Sequence, residues 1–309
     1  MGGTKQGISS VHGEYDSMPN HPLAEVFGFP INNLTDDADR HRQNRLCPFG
    51  NAVPNCTKNS IENPLGVCSV FGTGGEVVIT CPVRFQQGWR IASDAAAFFF
   101  PPNAAWTSLT EVRLKDSVGK SAGNIDVVLL SYDSLGRITD YGCLEVQAVY
   151  ISGNVSTPFK HYMEDPHANA DMDWRGQRNY PRPDYLSSSR KRLAPQLIFK
   201  GRILNGWGRK MAVALNTGFY KTLPALDEVA KADADLALFI YDLVMDPAQN
   251  RYVLTLDRTV YTKFDTALIK ITRSEAGQEA LFLGQLQKQL DRRLNNVTAP
   301  DAITPDPDF

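Results

Sequence analysis

Two apolar runs rich in β-branched residues constrain this chain most: IDVVLLSY (125–132) and YGCLEVQAVYI (141–151), separated by the turn formers DSLGR (133–137). Runs of this length, bounded by Gly, Asp and Ser, read as strands, and the second alternates in character over part of its length. Leu236 to Met245 and Tyr252 to Val260 read the same way, joined at DPAQN (246–250) as an antiparallel pair. Leu197 to Leu215 reads as a helix, and Thr272 with Glu275 forms a capping box ahead of Leu283, Leu286, Leu290 and Leu294 at helical spacing. Strands and helices interleaved in this way predict an α/β body of residues 91–297. Ahead of it we expect an arm (1–40), with Leu23 to Phe29 docked on the body, and a cysteine-bearing subdomain (41–90). A basic insertion covers 152–210, and a Pro/Asp tail 298–309.

The 309 residues suffice for one large domain or two ordinary ones. Hydrophobic residues make up 42% and charged ones 21%, which excludes wholesale disorder, and the net charge of −2 excludes a uniformly basic coat protein. No apolar run approaches the roughly 18 residues of a membrane span; the densest is Ala95 to Pro101. MGGTKQGISS has no basic segment followed by an apolar one, so the expectation is a soluble cytoplasmic protein without a signal peptide. Asn-x-Ser/Thr triplets at Asn33, Asn55, Asn154 and Asn296 then carry no glycosylation meaning. In a reducing compartment the five cysteines are metal ligands or small buried hydrophobes, not disulfides.

The second strand carries chemistry. Glu145 and Gln147 are two apart, so they project from one face, and pairing with the first strand brings Asp126 to the same face. Two carboxylates with the carbonyl between Glu145 and Gln147 make an oxygen-rich site suited to Mg²⁺. This is the layout of the nuclease motif D…(D/E)-x-K, with Gln147 in place of the lysine. Spacing alone favours the plainer reading, two acids at solvated strand edges. The apolar setting CLEVQAV argues otherwise, because a Glu buried there needs a counter-ion, a basic partner or a metal.

Cys47, Cys56, Cys68 and Cys81 lie within 35 residues, with gaps of eight, eleven and twelve. Four thiolates suit tetrahedral Zn²⁺ or Fe, though without a C-x-x-C knuckle they are equally read as buried thiols. The Gly-rich FGTGGE (71–76) adjoins a strand, Glu76 to Thr80, and reads as a hairpin turn, not a phosphate loop. Cys143 reads as a core filler, having no histidine near it in sequence to activate it, and His161 and His167 read as surface residues.

Several segments are similar to the NotI restriction endonucleases. CPFGNAVPNC (47–56), GVCSV (66–70) and CPVRF (81–85) resemble that family's metal-binding segment, where four cysteines hold a single iron. YGCLEVQ (141–147) resembles its catalytic strand, Gly-x-Leu-Glu-x-Gln, and Asp126 falls where the family has its first catalytic Asp. Lys160–His161, LIFKGRIL (197–204) and LALFIYDL (236–243) follow in family order, so the likeness spans most of 41–290. It implies a PD-(D/E)xK core, a mixed sheet flanked by helices, with a four-cysteine subdomain, a structural iron or zinc with iron favoured, and catalytic Mg²⁺ on Asp126 and Glu145. It also implies that Gln147 positions water or a metal ligand. The arm and the stretch from Trp174 to Arg192 have no counterpart in it.

Residues 174–210 carry ten basic side chains against one acid, Asp184, a net +9 in a chain of net −2. With Trp174, Tyr180 and Tyr185 interleaved, this is the footprint of a surface that follows phosphates, and arginine is the usual reader of guanine. Arg175, Arg178, Arg182, Arg190, Lys191 and Arg192 are the candidate DNA contacts; a clamp on duplex DNA is preferred here to a solvated loop with chance arginine enrichment. The expectation is a type II restriction endonuclease, a homodimer that hydrolyses double-stranded DNA at a GC-rich palindrome with Mg²⁺. The alternatives are a repair or phage-defence nuclease of the same fold, or a DNA-binding module without catalysis.

Overall fold

The computed structural model describes residues 18–50, 54–60 and 62–295. The tail from 298, the start of the arm and Asn296 lie outside them. The chain divides into two units, Met1–Thr272 and Arg273–Phe309.

The first unit begins with a small sheet. Strands β1 (Leu23–Val26) and β2 (Phe29–Pro30) turn at Phe27–Gly28, both with positive φ. Helix α1 (Asp36–Gln43) follows, capped by the Thr35 hydroxyl accepting from the Ala38 amide. β3 (Val67–Phe71) and β4 (Val77–Ile79) close the sheet in the order β2-β1-β3-β4, with FGTGGE as the expected hairpin turn. The apolar anchor of the arm is therefore a strand, paired directly with the cysteine-bearing strand β3. Glu25 on β1 is wholly buried and is held by Arg84 at 2.9 Å and the Ser69 hydroxyl at 2.8 Å.

Helix α2 (Arg90–Phe99) leads into the main sheet, through β5 (Trp106–Lys115), β6 (Ser121–Tyr132) and β7 (Ile138–Gln147). The expected second strand ends at Gln147; Tyr150–Ser152 (β8) leaves the sheet to pair with Arg182–Asp184 (β9). Between them lies helix α3 (Ser156–Glu164), and residues 185–206 form one helical run, α4, with π-helical turns at Ser189–Leu193 and Leu197–Gly201. The chain then re-enters the sheet as β10 (Met211–Asn216). The helix expected over 197–215 thus stops at Gly206, because a strand buried along all six residues has no periodicity to mark it in sequence. A short turn, α5 (Thr217–Tyr220), precedes β11 (Leu236–Asp246) and β12 (Arg251–Thr262), the expected antiparallel pair.

Sheet order is β12-β11-β10-β7-β6-β5, with β7, β10 and β11 parallel and the outer strands antiparallel. Each face is apolar. Met211, Val213 and Leu215 of β10 enter one cluster with Leu193, Leu197 and Leu204 of α4 and Phe264 and Leu268 of α6 (Phe264–Thr272). Ala212 and Ala214 enter the other, with Ile91, Ala95, Phe98 and Phe99 of α2. Each fully buried Leu contributes about 2 kcal/mol relative to exposure. The body is a mixed sheet flanked by helices on both faces.

In the second unit, helix α7 (Glu279–Leu294) carries the leucine series at the expected spacing. Its N-cap is Gln278, without a side-chain bond, and Thr272 instead ends α6, its hydroxyl donating to the Leu268 carbonyl. The capping box at Thr272 and Glu275 is therefore not formed: α6 already claims the threonine.

Candidate active site

β7 alternates in the way its sequence requires. Leu144 and Val146 enter the α2-side cluster, while Cys143 enters the α4-side one, so Glu145 and Gln147 point toward α4. β6 pairs with Val127 opposite Leu144, and one step further Asp126 draws level with Glu145. There the ladder gives way to a side-chain bond, with the Val146 amide donating to Asp126 Oδ2 at 2.7 Å. The three residues singled out in sequence are thus together on one face.

The site is deeply buried: Glu145 is 0% and Gln147 1% exposed. Helix α4 supplies its partners. Lys200 Nζ donates to Glu145 Oε2 at 2.6 Å and to the Asn124 carbonyl at 2.7 Å, and the Gln147 amide donates to Gln196 Oε1. Glu145 Oε1 and Gln147 Oε1 are buried and reached by no amine, amide or hydroxyl donor, and the Glu145 carboxyl shares a side-chain hydrogen bond with Asp126. Burial, and then the neighbouring Asp126 charge, push the Glu145 carboxyl up to about 8 against the pull of Lys200. Burial also raises Asp126, opposed by the Val146 amide and Lys200. Two acids this close favour sharing a proton, and a bound cation reverses that preference. The Asp126 carboxyl, Glu145 Oε1 and Gln147 Oε1 are hard oxygen donors of the kind Mg²⁺ takes, so the residues fit that ion.

Lys200 and Gln196 were missed in sequence as site residues; Lys200 was counted into the basic surface. A signal existed: Leu193, Leu197, Lys200 and Leu204 recur at helical spacing, which puts the lysine on the buried stripe.

The four clustered cysteines line one cavity of about 190 Å³, with Lys58 and Phe27 beside them. All are free thiols. Burial pushes Cys47 up to about 11 and raises Cys56 and Cys68, and the neighbouring thiols add to each shift. Among the described residues, however, no three or more His, Cys, Asp or Glu are grouped so as to hold a metal ion. The expected four-cysteine centre is therefore a shared cavity, not a formed ligand set. Neutral thiols lack the attraction to a central cation that would draw them together. Cys143 is buried in the core, as expected.

The basic segment is used unevenly. Arg175 pairs with Asp173 at 2.7 Å, Arg209 with Asp140 at 2.5 Å, and Lys200 is internal. Arg178, Arg182, Arg190 and Lys191 are exposed, and Arg192 lies 4.7 Å over the Tyr150 ring. His161 is half-buried beside Trp174, and the exposed His167 pairs with Asp39 at 2.8 Å. Among the described residues no helix is long and apolar enough to cross a membrane.

An acid pair on a mixed sheet, with a basic surface on the same chain, is equipment for work on nucleic acid, and comparison with known families makes the class definite. The family described as Restriction endonuclease NotI matches residues 26–254, and the chain belongs to it. It is a type II site-specific deoxyribonuclease, and its substrate is double-stranded DNA. No curated protein matches the chain.

Proposed function

We propose that the face shared by Asp126, Glu145 and Gln147 is the catalytic centre, of PD-(D/E)xK type, and that it cuts both strands of a palindromic, GC-rich site as a homodimer. The observation that carries this is the pair of buried oxygens that no amine or amide donor reaches, Glu145 Oε1 and Gln147 Oε1, beside the Asp126 carboxyl that is hydrogen-bonded to Glu145. Leaving Gln147 Oε1 unsatisfied costs roughly 1–3 kcal/mol, and the facing carboxyls must share a proton, unless a cation completes the set. Mg²⁺ on Asp126 and Glu145 would polarise the scissile phosphate and make a bound water more acidic. Asp126 and Glu145 supply the negative charge for that ion. Gln147, held by Gln196, presents a neutral oxygen and carries no positive charge to the phosphate.

The cysteine cavity is read as the seat of a structural ion, iron in preference to zinc, held by Cys47, Cys56, Cys68 and Cys81. Convergence of four thiols on one cavity supports this, and four protein thiolates leave no position open for substrate. Arg178, Arg182, Arg190 and Lys191, with Arg175 and Arg192, are read as contacts to phosphate and guanine. A palindrome presents each contact twice about a two-fold axis, so one active site per chain calls for two chains.

The test is digestion of plasmid and phage DNA with Mg²⁺, followed by sequencing of the ends. One discrete GC-rich palindrome, cut symmetrically, is the expected outcome. Ragged ends, or cutting that persists in EDTA, would overturn the reading.

A further inference from the structure

The usual nuclease motif places a lysine where this strand has Gln147, yet a lysine reaches the same carboxylate from another element. We propose that Lys200 is a positioning residue of the active site, supplying from helix α4 the fixed positive charge that the strand lacks. It binds Glu145 Oε2 at 2.6 Å and leaves Oε1 without an amine or amide donor. Lys200 thereby decides which oxygen of Glu145 is offered to a divalent cation, and holds the carboxyl against Asp126 before one arrives. This inference rests on the assignment of Glu145 to the catalytic centre.

Three features show that the placement is built in. Lys200 lies in a π-helical turn, Leu197–Gly201, and such turns alter which side chains a helix aims at its neighbour. Gly201 beside it has no room for a side chain: a Cβ there would stand 2.4 Å from Phe264 and 3.2 Å from Met211 Sδ, so α4 lies close against its neighbours. Gln196, four residues earlier, meets Gln147 as Lys200 meets Glu145, matching one face of the helix to one face of the strand. A purely structural account is weaker, because burying a charged pair seldom stabilises a fold more than an apolar pair would.

The experiment uses the full chain with Lys200→Met, Lys200→Gln and Lys200→Arg, Gln147→Lys, the double variant Gln147→Lys/Lys200→Met, and Glu145→Ala. Mn²⁺ affinity is read by electron paramagnetic resonance, and cleavage by single-turnover kinetics with Mg²⁺. Lys200→Met should bind Mn²⁺ at least as tightly as the parent while cutting at least a hundredfold more slowly, and Lys200→Arg should restore part of the rate. Gln147→Lys should slow the parent, which already holds one ammonium, but accelerate the Lys200→Met enzyme at least tenfold. That reversal of sign is what a scaffold lysine would not produce. Should Lys200→Met fail to fold, Lys200→Gln, neutral but still a donor, carries the same comparisons. Cleavage by Lys200→Met within threefold of the parent, parallel loss of Mn²⁺ affinity and rate, or failure of all three Lys200 variants to fold would each overturn the proposal. Retained cleavage in Glu145→Ala would instead remove the catalytic assignment, and the Lys200 proposal with it.

Discussion

Glu145 shows how far a single residue can be read from sequence. A carboxylate between Leu144 and Val146 demands a partner, and Gln147 two positions on shares its face; both points follow from strand geometry alone. Its partner is Lys200, 55 residues away on another element, and no local spacing announces a contact of that range. His21 makes the same point for stability. It is buried, its ring edge-on to Tyr162 at 5.6 Å, with Nδ1 accepting the Leu23 amide at 3.0 Å. Burial lowers its pKa from 6.5 to about 4, so the folded protein holds it neutral. The unfolded chain takes up the proton first, near pH 6.5. The stability from a neutral His21 is therefore intact above that pH and is lost as pH falls through about 4, a change of about 3 kcal/mol. Urea unfolding of the parent and His21→Gln between pH 4 and 7 checks this. The parent should weaken toward acid more steeply than the variant; equal slopes would contradict the assignment.

Among the elements, the strands flanking the first turn were legible because each is short, β-branched and bounded by turn residues. β10 was not. All six of its residues are buried, and the apolar run that begins in α4 continues into it without a change of pattern. What ends the helix is the Gly206–Gly208 stretch, where Gly208 takes positive φ. The π-helical turns of α4, Ser189–Leu193 and Leu197–Gly201, are likewise illegible, since no residue type in them marks a π turn. Gly201 is the position at which this packing can be tested. A methyl group there would meet the Phe264 ring at 2.4 Å and force α4 away from α6. Gly201→Ala should cost about 1–3 kcal/mol despite its better helix propensity. Denaturant midpoints decide it, and an unchanged or raised midpoint would show that the close approach does not matter.

For the whole molecule, membership of the NotI family and a mixed sheet with helices on both faces agree with the order of motifs along the chain. The docking of β1 and β2 onto the cysteine segment was beyond the sequence. It depends on the buried Glu25–Arg84 pair, whose members are 59 residues apart. That small sheet carries Cys68 and borders the cavity, so an ion there should act on folding before it acts on cutting. Elemental analysis should find about one Fe or Zn per chain after dialysis against EDTA, as expected of a closed four-thiolate site. Cys56→Ser should lower yield and thermal midpoint while any folded fraction still cuts; a stable, active, metal-free protein would contradict the structural ion. The centre on β6 and β7 remains the claim on which the account of this nuclease depends, and Glu145→Ala tests it most directly. With Mg²⁺ that variant should cut its site at least a thousandfold more slowly than the parent, while its affinity for the same DNA in Ca²⁺ stays within a fewfold. Cleavage within tenfold of the parent would show that the reaction takes place elsewhere.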